Sequence, residues 1–206
     1  MTYDPHAVLA SIDANIVGFL ALGGIALIFN YGYFGGALAA AKRDKTFTFP
    51  LACTTFWFAH DLSFVLAYDK WFNVYDHWYV KLFWLGLLPT MCFEAWYIYQ
   101  TWRYGKNELL PNASRPAYTV YIFAAVLVGI VGWWSFYAFL DHPIYAYMFG
   151  ASGFFAPFFV IPLVIRRGHA KGQSFLTWVC YVGMQTFWFA GSFTFFGPAF
   201  RAPAYL

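Results

Sequence analysis

From residue 14 to residue 41 the chain carries no charged side chain, and the same holds for 116–140 and 172–197. Runs of that length fit few environments. A helix crossing the hydrocarbon core of a bilayer needs roughly 20 mostly apolar residues. Six stretches meet that need: about 14–41, 48–68, 80–103, 116–140, 143–166 and 172–197. Barrel strands would instead alternate polar and apolar residues over about ten positions. Ile16–Ile28 and Val120–Trp134 are almost continuously apolar, which selects helices. Only 10% of the residues are charged, against about 25% in a soluble domain, and 62% are hydrophobic. That balance argues against a soluble enzyme, a disordered chain or a nucleic-acid binder. The expected fold is all-α, a polytopic transmembrane bundle of six spans forming one domain over residues 1–206. The first ten residues hold Asp4 and His6 and no basic segment, unlike a cleavable signal peptide.

Lys and Arg in the connections set the orientation. Lys42, Arg43 and Lys45 follow the first span, Arg103, Lys106 and Arg115 the third, and Arg166, Arg167 and Lys171 the fifth. The opposite side has Lys70, Lys81 and Arg201, diluted by Asp4, Asp13, Asp69, Asp76 and Asp141. The basic connections are therefore expected in the cytoplasm, with both termini outside or lumenal. Cys53, Cys92 and Cys180 fall inside expected spans, an odd set that does not read as a disulfide framework or a zinc site. Asn112-Ala113-Ser114 fits a glycosylation pattern but falls on the cytoplasmic side, and is read as chance.

A charge at the bilayer centre costs about 3 kcal/mol or more, so each one calls for a reason. Asp61 and Glu94 lie deep in expected spans, His60 is equally deep, and no Lys or Arg joins them. At 1.5 Å per residue from the cytoplasmic ends, Glu94 lies roughly 14 Å in, Asn30 about 16 Å, and Asp61 and Gln185 about 20 Å. Four polar side chains on four helices thus share one layer. The spans carrying Asp61 and Glu94 are antiparallel and closely connected, so both acids are expected to face one cavity. Two carboxyl groups there without a cation do not both ionise, and a retained proton is what a general acid requires. His60 and Asp61 are neighbours about 100° apart on a helix, and are expected not to face one site. Trp57, one turn from Asp61, shares its face.

Trp57, Trp96, Trp133, Trp134 and Trp188 are too deep for interfacial belts. Aromatic walls would suit a lipophilic ligand and could stabilise cationic carbon. The mid-membrane Lys of a retinal protein and the paired deep histidines of a b-type haem site are both missing from the sequence. The expected site comprises Asp61 and Glu94 as catalytic acids, with His60, Trp57, Asn30, Trp96 and Gln185 lining the substrate. No metal and no organic cofactor are expected.

The run Arg43-Asp44-Lys45-Thr46-Phe47-Thr48-Phe49-Pro50-Leu51 leads into Cys53-Thr54-Thr55-Phe56-Trp57-Phe58-Ala59-His60-Asp61. Later come Phe93-Glu94-Ala95-Trp96 and Arg166-Arg167-Gly168-His169-Ala170-Lys171-Gly172-Gln173-Ser174. Together they resemble the small integral-membrane terpene cyclases of fungal meroterpenoid and indole-diterpene pathways. Asp61 stands where that family has the Glu of an Asn-x-x-Trp-Glu signature, with Trp57 and His60 in place of its Asn and Trp. Glu94 matches the family's acid on the next helix. The resemblance implies a bundle usually described with seven spans, and proton-initiated cyclisation of a prenyl chain without metal or pyrophosphate. By the same analogy Asp61 is the expected proton donor. Two alternatives stay open: a double-bond isomerase of a steroid or terpenoid ketone, and a non-catalytic lipid-binding or assembly subunit. The expected partners are a lipophilic small molecule and the bilayer, with no nucleic acid and with room for a homo-oligomer.

Overall fold

The computed structural model describes residues 3–140 and 143–201; Asp141, counted above among the acids of one side, lies outside them. Among the described residues the fold is all-α: nine α-helices and no strand. They are α1 (Pro5–Asp13), α2 (Ile16–Asp44), α3 (Leu51–Leu66), α4 (Trp78–Tyr104), α5 (Lys106–Leu109), α6 (Arg115–Leu140), α7 (Ala146–Gly153), α8 (Phe155–Arg167) and α9 (Phe175–Phe195). A turn of π-helix, Lys70–Val74, joins α3 to α4, and a 3₁₀ turn, Pro198–Arg201, follows α9.

Among the described residues, α2 and α6 are the helices long and apolar enough to cross a membrane, and α3 is apolar but shorter. The six expected spans are thus reduced to two by this measure. Aromatic, Thr and Gln positions lower the hydropathy of α4 and α9, and proline shortens the fifth element. The outward faces remain apolar throughout: Val17 and Ile28 on α2, Val128 on α6, Ile165 on α8 and Phe175 on α9 are all exposed.

Helix termini follow local chemistry. Asp4 caps α1 by accepting from the His6 N–H at 2.9 Å, and Pro5 sits where a missing N–H costs nothing. Gly168 ends α8 in a left-handed conformation at φ 66°. Basic residues occupy the last turns of α2, α4 and α8, where the carbonyl ends of the helix dipoles favour them. The charge asymmetry of the sequence therefore coincides with three helix C-termini on one end of the bundle.

α2 packs along α9, and α3 lies between α4 and α6. The α2–α9 seam is close because small residues line it. A Cβ at Gly36 would meet Thr177 Oγ1 at 2.6 Å. Such close contact lets dispersion act between the two helices.

The expected fifth helix, 143–166, is broken. Pro157 has no N–H for the carbonyl of Gly153, four residues back, so the ladder fails there. Tyr181 Oη donates to that carbonyl at 2.9 Å, and Trp57 Nε1 donates to the Ser152 carbonyl at 3.0 Å. The break is thus satisfied by α9 and α3. The helix α1 was not expected either. It turns Val8, Leu9 and Ile12 onto Tyr3, Phe19, Phe196 and Phe200, covering the less basic end.

Candidate active site

A cavity of about 470 Å³ lies between α2, α3, α4, the α7–α8 break and α9. The expected polar layer is assembled on it: Asn30, Asp61, Glu94 and Gln185 all line the cavity, as do His60 and Trp57. Trp96 does not. It is 53% exposed on the outside of α4. Two helical positions from Glu94 is about 200° around the axis, so it points away from the face that Glu94 presents.

Asp61 and Glu94 are nearly inaccessible, at 5% and 3% exposure. Their surroundings differ. Asp61 Oδ1 lies 2.7 Å from His60 Nδ1, and Asp61 Oδ2 accepts from Thr90 Oγ1 at 2.6 Å. The expectation that His60 and Asp61 turn away from each other is corrected here. Their Cα–Cβ bonds diverge, but the side chains fold back to touch, and both reach the cavity. Glu94 Oε2, by contrast, has no hydrogen-bond partner among the described residues. Neither acid has a Lys or Arg beside it among the cavity-lining residues.

His60 is held from behind. Its ring packs edge-on against Trp133 at 4.6 Å, and Ser63 Oγ donates to the His60 carbonyl at 2.7 Å. Trp133 Nε1 donates to Ser63 Oγ at 2.6 Å, and Tyr145 Oη lies 2.9 Å from it. Of the mid-span tryptophans, Trp57 and Trp188 therefore face the cavity, Trp133 backs it, and Trp134 is half-exposed outside.

Four contributors were missed in the sequence. Tyr33 lines the cavity with a buried hydroxyl that, like Glu94 Oε2, has no partner among the described residues. It sits one turn after Asn30, so the shared face was the available signal. Thr90 is one turn before Glu94 in the same way. Ser152 and Gly153 come from the helix break, which no periodicity announces. A Cβ on Gly153 would fall 1.7 Å from Gln185 Nε2, so Gln185 occupies the space that only glycine leaves.

The motif loops lie elsewhere, at the basic end. Arg167 reaches Glu108 at 2.8 Å and the Phe47 carbonyl at 3.0 Å, with its guanidinium 4.3 Å from the Phe47 ring. Arg43 pairs with Asp44 through two 2.7 Å bonds, and the Gly172 N–H donates to Asp44 at 2.8 Å. Thr48 Oγ1 lies 2.9 Å from the carbonyls of Ala37 and Gly172. The segments 43–51 and 166–174 are thus clasped together. Hydrogen bonds from Arg43, then from the Gly172 N–H, hold the Asp44 carboxyl well below its ordinary range. Partial burial works to raise Glu108, but Arg167 and Arg166 outweigh it and hold that carboxyl below its usual value.

Among the described residues, no group of three or more His, Cys, Asp and Glu side chains is arranged to hold a metal ion. Comparison with family models, with curated proteins and with solved structures found no match.

Proposed function

We propose that this chain is a multi-pass membrane protein and an acid/base enzyme acting on a lipophilic terpenoid, most simply by proton-initiated cyclisation. The carrying observation is the pair of buried acids, from two adjacent helices, on one apolar-walled cavity. A volume of about 470 Å³ falls within the roughly 300–1,000 Å³ of small-molecule sites. Six spans, with α7 and α8 together forming the fifth, fit the exposed apolar faces, and the basic connections are assigned to the cytoplasm.

Hydrogen bonding favours a division of labour opposite to the one expected from the family signature. Asp61 has His60 and Thr90 to stabilise a negative charge, whereas Glu94 has an oxygen with no donor. Glu94 is then the proton donor and Asp61 the acceptor. The donated proton goes to an alkene carbon or an epoxide oxygen. The resulting tertiary cation is trapped by successive double bonds between aromatic walls. Proton loss from the last cation to Asp61 forms the product alkene, and a proton returned from Asp61 to Glu94 resets the site. This chemistry needs no metal or organic cofactor.

The test is turnover of a prenyl chain bearing a terminal epoxide by the reconstituted protein, followed by mass spectrometry. Glu94→Gln and Asp61→Asn should each lower cyclisation by about 10²–10⁴-fold while the protein still folds. Unchanged turnover in either variant overturns the proposal. Cysteine-accessibility labelling that places residues 42–47 or 166–171 outside the cytoplasm overturns the topology.

A further inference from the structure

One wall of the cavity is incomplete. Its most exposed large apolar lining residues are Leu20 and Leu27 of α2, at 44% and 42%, and Leu82 and Leu85 of α4, at 50% and 57%. The lining residues of α3 are buried and those of α9 are buried or half-buried. The two helices are pinned at either end of this stretch. Phe19 packs against Tyr79 at 5.2 Å on one side, and on the other Tyr31 Oη donates to the Gly86 carbonyl at 3.0 Å. Between these pins stand Gly23 and Gly24, with Gly86 at the edge. A Cβ built on any of the three meets nothing within 4 Å. The seam between α2 and α9 is the opposite case, since its glycines are in contact.

We propose that the slot between α2 and α4 is a lateral portal through which a hydrocarbon chain dissolved in the bilayer enters the cavity. This rests on the membrane-enzyme reading above. The slot is edged by leucine and glycine, whereas Glu94, Asp61 and Tyr33 stand on the cavity wall. An isoprenoid-like chain with one reactive or polar end matches that gradient. The apolar tail follows the leucines and the reactive end meets the acids. The outward neighbours of the slot, Val17, Ile25 and Ile28, are apolar and exposed, so the medium it opens to is lipid.

The test uses the full chain in phosphatidylcholine vesicles containing farnesol that bears a diazirine, with adducts mapped by peptide mass spectrometry. The unaltered protein should be labelled on the cavity-facing segments of α3 and α4. Labelling should fall with side-chain volume through Gly24→Ala, Gly24→Leu and Gly24→Trp, and by at least tenfold in Gly24→Trp and in Gly86→Trp. Gly132→Trp also enters open space, but beside a separate groove on α6, and should keep full labelling. A flat series at Gly24 in proteins that melt normally overturns the portal. So does labelling confined to the outer faces of the unaltered protein. Labelling reports occupancy and not proton transfer. Glu94→Gln should therefore remain labelled, and its turnover bears only on the acid/base reading.

Discussion

The carboxylates at the basic end and those in the cavity are held on opposite plans: Asp44 and Glu108 are half-buried or exposed, Asp61 and Glu94 are buried. At the basic end Asp44 and Glu108 meet Arg43 and Arg167 at 2.7–2.8 Å, and these two arginines are bonded in turn to the Gln173 and Phe47 carbonyls. In the cavity Asp61 meets a histidine and a threonine, and Glu94 Oε2 has no hydrogen-bond partner among the described residues. A carboxylate bonded to a guanidinium has little capacity left for anything but holding loops together. A buried acid without a cation is a poor structural element and a good proton carrier. On the proposed reading the clasp holds the fold together and the cavity carries the chemistry, and each half can be broken separately.

The largest effect is expected in the cavity. Glu94→Gln and Asp61→Asn should each lower turnover by about 10²–10⁴-fold, the usual cost of losing a general acid or base. The double variant should be no worse than the worse single one, because residues that act as a unit are not additive. Turnover and thermal melting on the same preparations check this, and melting should be unchanged or raised.

The clasp should behave in reverse. Arg167→Met leaves the Phe47 carbonyl without its donor and Glu108 with Arg166 alone. A loss of about 2–4 kcal/mol in unfolding free energy is expected, with turnover per folded molecule retained. Denaturant titration against activity separates the two outcomes.

The same end should carry an acid-labile share of stability. Asp44 and Glu108 are held below their ordinary ranges in the folded state. Their contribution is therefore fully present above the normal carboxylate range of about 4 and is lost as pH falls through the folded values. Melting temperatures from pH 6 down to pH 3 should drop less steeply in an Asp44→Asn, Glu108→Gln variant than in the unaltered protein.

The smallest effect concerns the support of Asp61. Thr90→Val removes one neutral donor, a bond of about 1 kcal/mol, so turnover should fall roughly fivefold. A loss as large as that of Asp61→Asn would make Thr90 part of the proton path itself.

Much of this contrast was legible in the sequence, because charge is costly in an apolar chain and its positions are therefore informative. Asp61, Glu94, Asn30 and Gln185 could be placed in one layer by counting rise along four helices, and the structure brings all four to one cavity. Rotation about a helix axis was less secure. Trp96 was counted by depth alone and lies outside. His60 was judged by its Cβ direction and nevertheless reaches Asp61. The α7–α8 break escaped because prolines inside apolar helices are common, and whether one breaks the helix depends on partners such as Trp57 and Tyr181 far away in sequence. The helix α1 escaped because Val8, Leu9 and Ile12 make too short a pattern until Phe196 and Phe200 cover it.

The most direct measurement is the reaction of dicyclohexylcarbodiimide with the reconstituted protein near neutral pH, followed by peptide mass spectrometry. This apolar reagent enters lipid and modifies carboxyl groups that hold a proton. The expected result is one adduct per chain, on Glu94, absent from Glu94→Gln and still formed in Asp61→Asn. An unmodified Glu94, or an adduct on Asp61 in its place, would contradict the account.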